Sequence, residues 1–303
     1  MGRVAWTGAA FAATRGAPPT MFRTLDELLE ARERGALSAP LALMEMLLVT
    51  RDAARLADEL GTRAARGARC ADLLRLLAEN REGCERMVRI AKDDGPLRDV
   101  ADVRDMFDRC VEVSEEGSVA LYSLGNPAIL QDATCEIVDA LCRWDLLGAD
   151  RAVLDVGCGT GRLSAALSPE VAGIVGVDVS SRMIDVARRR AANLANAQFT
   201  VVDGWALPFA DRSFDLVLAV DSMPYIVGLG AKLVDRNFHE ASRVLRPGGD
   251  FVVLGFSYRD DLAADRGEVA ALAARHAFDV RENGVAPFAL WNARAFWLAR
   301  RPS

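Results

Sequence analysis

From residue 24 to about residue 113, apolar positions recur at the three- and four-residue spacing of helices that bury one face, beginning with Leu25, Leu28 and Leu29. Thr24 and Glu27 spell a capping box, in which the threonine side chain accepts from the backbone and the glutamate reaches back. Pro40 opens a second, strongly apolar helix, Gly61 and Gly67 punctuate the series, and Gly95-Pro96 stops a later helix. The pattern holds no strand and no internal repeat. A further helix starts at Asn126-Pro127, a cap followed by a proline whose missing N–H costs nothing in a first turn. It runs through Ile129, Leu130, Ile137, Val138 and Leu141 to Gly148.

Beyond Gly148 the periodicity changes. Short β-branched runs at 152–156, 174–179, 199–202, 216–220 and 251–256 alternate with helical stretches, which predicts a parallel, doubly wound α/β sheet. The last two runs, 278–281 and 295–299, have no helix-length stretch between them and are expected to pair as an antiparallel edge. The expected organisation is a tail over 1–20 ending at Pro18-Pro19, a helical domain over 21–117, and a sheet domain over 118–303.

Composition narrows the class. At 51% hydrophobic and 26% charged, the 303 residues match soluble globular chains and exclude fibrous and disordered ones. Six cysteines without a Cys-x-x-Cys pair, and two histidines, exclude the usual zinc spacings and a secreted disulfide framework, so the expectation is no metal and a reduced, cytoplasmic chain. The apolar run around Phe11 lacks leucine and reads as a mobile tail rather than a signal peptide. Glu45 interrupts the best candidate for a membrane span. The net charge of −6 lies wholly in the first 148 residues, and neither half is basic, which leaves no footprint for nucleic acid or an anionic membrane and makes a small molecule the expected substrate.

The chemistry concentrates where the first strand ends, in Asp155-Val156-Gly157-Cys158-Gly159-Thr160-Gly161. There glycine lets the backbone approach a ligand while the chain turns from strand into helix. The dinucleotide fingerprint needs its third glycine where Arg162 stands; Gly161 comes one residue early. Asp178, ending the second strand, is placed to accept from both hydroxyls of a ribose.

These residues, with Asp203-Gly204, Leu207-Pro208-Phe209 and Leu245-Arg246-Pro247-Gly248-Gly249, resemble the ordered motifs of class I S-adenosylmethionine-dependent methyltransferases over about residues 120–303. The resemblance is closest to the small-molecule methyltransferases. It implies a Rossmann-like sheet of seven strands, mostly parallel, with an antiparallel C-terminal edge strand, preceded here by an all-helical region that matches no family segment. It implies S-adenosyl-L-methionine as cofactor, with Asp155, Gly157, Cys158, Gly159 and Gly161 at the methionine end and Asp178 and Val179 at the ribose. Met183, Asp203, Gly204 and Trp205 are placed around the adenine.

Asp221-Ser222-Met223-Pro224-Tyr225 follows the fourth strand, facing the space where the transferable methyl is expected, and Asp221 and Tyr225 are the candidate catalytic residues. Tyr122, Tyr258 and Arg259 are further candidates for the acceptor, while Asn126 is better explained as a cap. His239, His276 and Cys158 fit packing positions, the cysteine lacking the adjacent base a nucleophile needs. The expected reaction is methyl transfer to an N, O or C atom of a small acceptor. The rival readings are a nicotinamide-dependent oxidoreductase, which Arg162 disfavours, and a non-catalytic S-adenosylmethionine-binding protein. The helical half is expected to shape the acceptor pocket, with homodimerisation as its alternative role.

Overall fold

The computed structural model describes residues 24–302 apart from 93, 94 and 96, so the expected tail over 1–20 and Pro96 lie outside the described residues. The chain divides into two compact units. One takes in the described residues up to 95 with Arg109–Ala133 and Phe288–Asn292; the other takes in Leu97–Asp108, Thr134–Pro287 and the residues from Ala293 onward. These units do not follow the boundary expected at 117/118, because a single helix, Val100–Val113, runs from the second unit into the first.

Among its described residues, the regular secondary structure of the first unit is all helical. Helix α1 (Leu25–Glu33) starts from the expected capping box: the Glu27 N–H donates to Thr24 Oγ1 at 3.2 Å and the Thr24 N–H donates to Glu27 Oε2 at 2.9 Å. Helix α2 (Ala39–Thr50) is capped by Ser38 and buries every residue from Leu41 to Leu47, the mark of a helix at the centre of a core. It packs against α1, α3 (Ala53–Ala65), α4 (Ala71–Glu79) and α5 (Arg81–Ala91). Gly61, expected as punctuation, lies inside α3, where its neighbours' propensity carries the helix through; Gly67 follows the helix at φ +93° as expected. After α6 (Val100–Val113) and α7 (Glu115–Val119), a 3₁₀ turn at Leu121–Ser123 leads to Leu124, whose carbonyl lies so close to Gly83 that a Cβ there would sit 1.9 Å from it. Helix α8 (Pro127–Arg143) has the expected cap, Asn126 Oδ1 accepting from the Ala128 N–H at 2.8 Å.

The second unit is the expected seven-stranded sheet, in the order β3-β2-β1-β4-β5-β7-β6. The strands are β1 (Gly148–Val156), β2 (Val171–Asp178), β3 (Ala197–Val201), β4 (Phe214–Val220), β5 (Leu245–Leu254), β6 (Phe278–Val285) and β7 (Ala295–Arg300). The first five pair in parallel, while β7 runs antiparallel to both β5 and β6. Helices α9 (Arg162–Leu167), α10 (Ser181–Arg190), α11 (Met223–Gly228), α12 (Ala231–Val244) and α13 (Leu262–Arg275) connect them. Buried stretches of the central strands and the helices on them supply the core, with Leu154, Val177 and Val217 packed together with Phe238, Phe251 and Phe296. Since β1 lies between β2 and β4, the connections leaving β1 and β4 go to opposite sides, and the crevice beyond their carboxyl ends is where such sheets take ligands.

Candidate functional site

The glycine loop after β1 sits at that crevice. Gly157, Gly159 and Gly161 all have positive φ (+74°, +53° and +72°). A Cβ on Gly157 would meet Ser222 Cβ at 2.4 Å, and one on Gly161 would meet Ala187 Cβ at 2.8 Å, so the loop passes against the β4 connection and α10 only because side chains are missing there. The N–H groups of Gly157 and Cys158 both donate to Val177 O, which ties the loop to β2.

Three carboxylates stand at the carboxyl edge of the parallel strands. Asp178, buried at the end of β2, accepts the Gly159 N–H on Oδ2 and the Ser180 N–H on Oδ1, each at 2.9 Å. Burial raises its pKa, and the backbone donors from Ser180 and Gly159 work against that rise. Each oxygen keeps a further lone pair. Asp155, also buried, accepts from Ser164 Oγ at 2.7 Å and is pushed up to about 6 by burial, with Ser164 and the Arg162 guanidinium pulling the other way. Asp203 is exposed; its Oδ1 closes a turn by accepting the Trp205 and Ala206 N–H groups at 2.7 and 2.9 Å, which holds its pKa below the usual carboxylate value.

Trp205, 41% exposed, offers a ring face at this edge, with the Lys232 ammonium 5.8 Å from its centroid. Helix α12 holds the Trp205 loop: buried Glu240 accepts the Leu207 N–H, and Arg243 donates to the Leu207 and Phe209 carbonyls. Gly204, at φ +79°, approaches Val100 so closely that a Cβ would lie 3.0 Å from a valine methyl. Val179 borders the same glycine, 3.2 Å from that Cβ position. Met183 differs from these: its side chain is fully buried, so in this structure it packs in the core rather than opening to the crevice. Cys158 is buried between Asp155 and Asp178, and burial with those charges holds its thiol well above the usual value, the opposite of an activated nucleophile.

Beyond β4, Asp221 adopts φ +55°, and its N–H donates to Leu254 O at 2.8 Å. Tyr258 donates its hydroxyl to Asp221 Oδ1 at 2.6 Å. The Tyr225 ring meets Tyr258 edge-on at 6.0 Å between centroids and Phe107 edge-on at 4.9 Å. Asp221, Tyr225 and Tyr258 thus form one cluster. Arg259 is held elsewhere, in ion pairs with Asp265 (2.6 Å) and Glu268 (2.7 Å). Tyr122 belongs to the helical unit, where its buried ring stacks on Trp291 at 6.1 Å.

The two histidines meet each other, His239 edge-on to His276 at 6.0 Å, and His276 Nε2 lies 2.9 Å from Asp235 Oδ1. Among the described residues no group of His, Cys, Asp or Glu side chains is placed to hold a metal ion.

Sequence reasoning missed Ser164, Ser180, Phe107 and Asp108. Ser180 was readable, since a serine two residues after a strand and just before a helical run is an N-cap, and its Oγ does accept the Met183 N–H at 3.0 Å. Asp108 accepts from that hydroxyl at 2.5 Å across 72 residues of chain, and nothing local in the sequence signals such a contact.

Residues 153–249 match the family model for a methyltransferase domain. The chain is 34% identical over 158 residues to demethylmenaquinone methyltransferase of Tropheryma whipplei, covering 52% of this chain and 60% of that one. It is 33% identical over 150 residues to 2-methyl-6-phytyl-1,4-hydroquinone methyltransferase of Synechocystis, covering 47% of this chain and 46% of that one. The chain therefore spans less than two thirds of the length of these relatives. Among solved structures, phosphoethanolamine N-methyltransferase 1 of Haemonchus contortus, in complex with phosphoethanolamine and S-adenosylhomocysteine, is similar with a TM-score of 0.51 at 16% identity. That match covers 67% of this chain and 49% of that chain, and the likeness is one of fold.

Proposed function

We propose that the protein, whose residues 153–249 match the family model for a methyltransferase domain, is a class I S-adenosylmethionine-dependent enzyme that transfers the methyl group of S-adenosylmethionine to a nucleophilic atom of a small organic acceptor. The observation that carries the reading is Asp178. Its two oxygens are oriented by the Gly159 and Ser180 N–H groups at the mouth of a loop that only glycines allow, and both retain lone pairs for the two hydroxyls of a ribose.

Around that anchor, the exposed Trp205 ring suits the adenine face and Asp203 Oδ2, left over by the turn, suits its amino group. Asp155 serves the methionine end with the oxygen that Ser164 leaves. When bound, the cofactor supplies an already activated sulfonium methyl. What remains for the chain is to hold donor and acceptor in line, an effect that can contribute about 7 to 11 kcal/mol. Asp221 and Tyr225 line the acceptor side, beyond the carboxyl end of β4 next to β1. The names of both curated relatives carry quinone-type rings, which supports a ring-bearing acceptor here. No helix among the described residues is long and apolar enough to cross a membrane.

The test is calorimetry with S-adenosylmethionine and with nicotinamide dinucleotides. It is followed by incubation with the cofactor and a panel of quinols, phenols and amines, read as a mass gain of one methylene. Binding of the nicotinamide cofactor, or cofactor binding without any turnover across the panel, would overturn the reading.

A further inference from the structure

Resting on the methyl-transfer reading, we propose that the acceptor carries an ionisable hydroxyl, that Asp221 takes its proton, and that Tyr258 is the positioning residue that aims and tunes Asp221 for that task. Asp221 takes the left-handed conformation, φ +55°, which aspartate adopts more readily than most residues with a Cβ. Its N–H extends the β4–β5 ladder by one bond to Leu254 O, and next to it Ser222 Oγ donates to Val156 O at 2.8 Å, which pins the turn to β1. The carboxylate so placed has one oxygen taken: Tyr258, from the segment after β5, donates to Oδ1 at 2.6 Å. Oδ2 accepts from no described side chain or backbone group, and so it is the atom an acceptor can address.

The groups around Asp221 fit a base rather than a structural carboxylate. Burial pushes it up to about 7, against the Tyr258 hydrogen bond and the more distant Arg162 guanidinium at the start of α9. Tyr225, on α11, acts on Asp221 through Tyr258, whose own hydroxyl is held well above its usual value by burial and by the neighbouring Asp221 and Tyr225. Gly255, which lies against Asp221, and the adjoining Ser222 carry no charge. A base that titrates near neutrality is matched to a weakly acidic O–H. A neutral amine needs no base before attack, whereas a neutral phenol or enol is a poor nucleophile until it loses its proton. Tyr225 meets both Phe107 and Tyr258 edge-on, and a flat unsaturated acceptor suits such walls.

The bookkeeping closes with one proton. As the acceptor oxygen, or the ring carbon conjugated with it, forms the new bond to the methyl carbon, the methyl–sulfur bond breaks and its electron pair stays on sulfur, leaving a neutral thioether. The hydroxyl proton goes to Asp221 Oδ2. In the carbon case the ring then loses its C–H proton as the hydroxyl is restored, so again a single proton is released.

The pair is tested first without cofactor, by ¹³C NMR of aspartate-labelled full-length protein. A carboxyl resonance is expected to titrate near pH 7 and to vanish in Asp221→Asn, a residue that tolerates the same backbone conformation. Tyr258→Phe removes a hydrogen bond that favours the charged form, so the midpoint should move up by about one pH unit. With a turning-over acceptor, the acidic limb of kcat/KM should move up by the same amount in that variant. A midpoint that Tyr258→Phe leaves in place, no neutral titration of Asp221, or turnover of amines alone would overturn the proposal. Absence of cofactor binding would instead defeat the methyl-transfer reading while leaving the Asp221–Tyr258 pair measurable.

Discussion

Glu45 and Asp178 are both buried carboxylates, one in the helical unit and one in the sheet unit, and the two units treat them in opposite ways. Glu45 sits in mid-helix on α2, 2% exposed, with Oε2 bonded to nothing, and burial pushes it up to about 8. Asp178, 8% exposed, receives two backbone N–H groups. The difference follows from secondary structure. In a helix interior every N–H is spent on the carbonyl four residues back, so a carboxyl carried there has no backbone donor to meet. Past the end of a parallel strand, a loop and the first turn of the next helix leave N–H groups unpaired, and these stabilise a buried negative charge. At Asp178 these donors hold a buried charge at the mouth of the crevice, whereas Glu45, without them, is a cost in stability that grows with pH.

That contrast is broken or sharpened most strongly by titrating stability. Glu45 holds its proton in the folded chain up to about pH 8, while the unfolded chain releases it near 4.5. Between those values the folded state binds more protons, so its contribution is fully present below about 4.5 and is lost as pH rises toward 8. At about 1.4 kcal/mol per pH unit the loss is on the order of 5 kcal/mol. Urea unfolding of the full chain and of Glu45→Gln across this range should show the two diverging, with the variant's curve flatter. Parallel curves would mean that Glu45 finds a partner.

The corresponding cut in the sheet unit is Asp178→Ala. It removes a charged acceptor from the ribose hydroxyls, and the expected loss is about 1.5 to 3 kcal/mol of S-adenosylmethionine affinity by calorimetry. Affinity equal to that of the unaltered chain would remove Asp178 from the site.

The same contrast governs what could be read in advance. Alternating strands and the loops at their ends are local features, so the sheet and the positions of Asp155, Asp178 and Asp221 were legible from spacing alone. Arg259 was not: it looked available for the acceptor, but the following helix supplies Asp265 and Glu268, six and nine residues on, and they neutralise it. The helices of the first unit were legible one by one, from Thr24, Pro40 and Asn126. Their grouping was not, because membership of Leu97–Asp108 in the sheet unit depends on contacts such as Asp108 with Ser180 and Phe107 with Tyr225 across more than 70 residues. A chain begun near residue 118 would thus leave the sheet unit without Val100, Phe107 and Asp108, and would expose Gly204 and Tyr225.

Two helix caps carry the comparison to its smaller energies. Ser180 is fully buried, accepts the Met183 N–H at 3.0 Å, and donates to Asp108 at 2.5 Å. Ser180→Ala removes a cap and also a donor to a carboxylate, so a loss of about 2 kcal/mol in unfolding free energy is expected. Thr24 makes the same cap bond on α1 at 3.2 Å, but in the open, where water replaces what the hydroxyl gives up. Glu27 completes the box there, and its own bond to the Thr24 N–H survives the substitution because that donor is backbone. Thr24→Ala should therefore cost only about 0.5 to 1 kcal/mol, read as a lower urea midpoint at unchanged slope, with S-adenosylmethionine affinity as before. A larger loss at Thr24 than at Ser180 would show that burial and the second partner do not set the difference between the two caps.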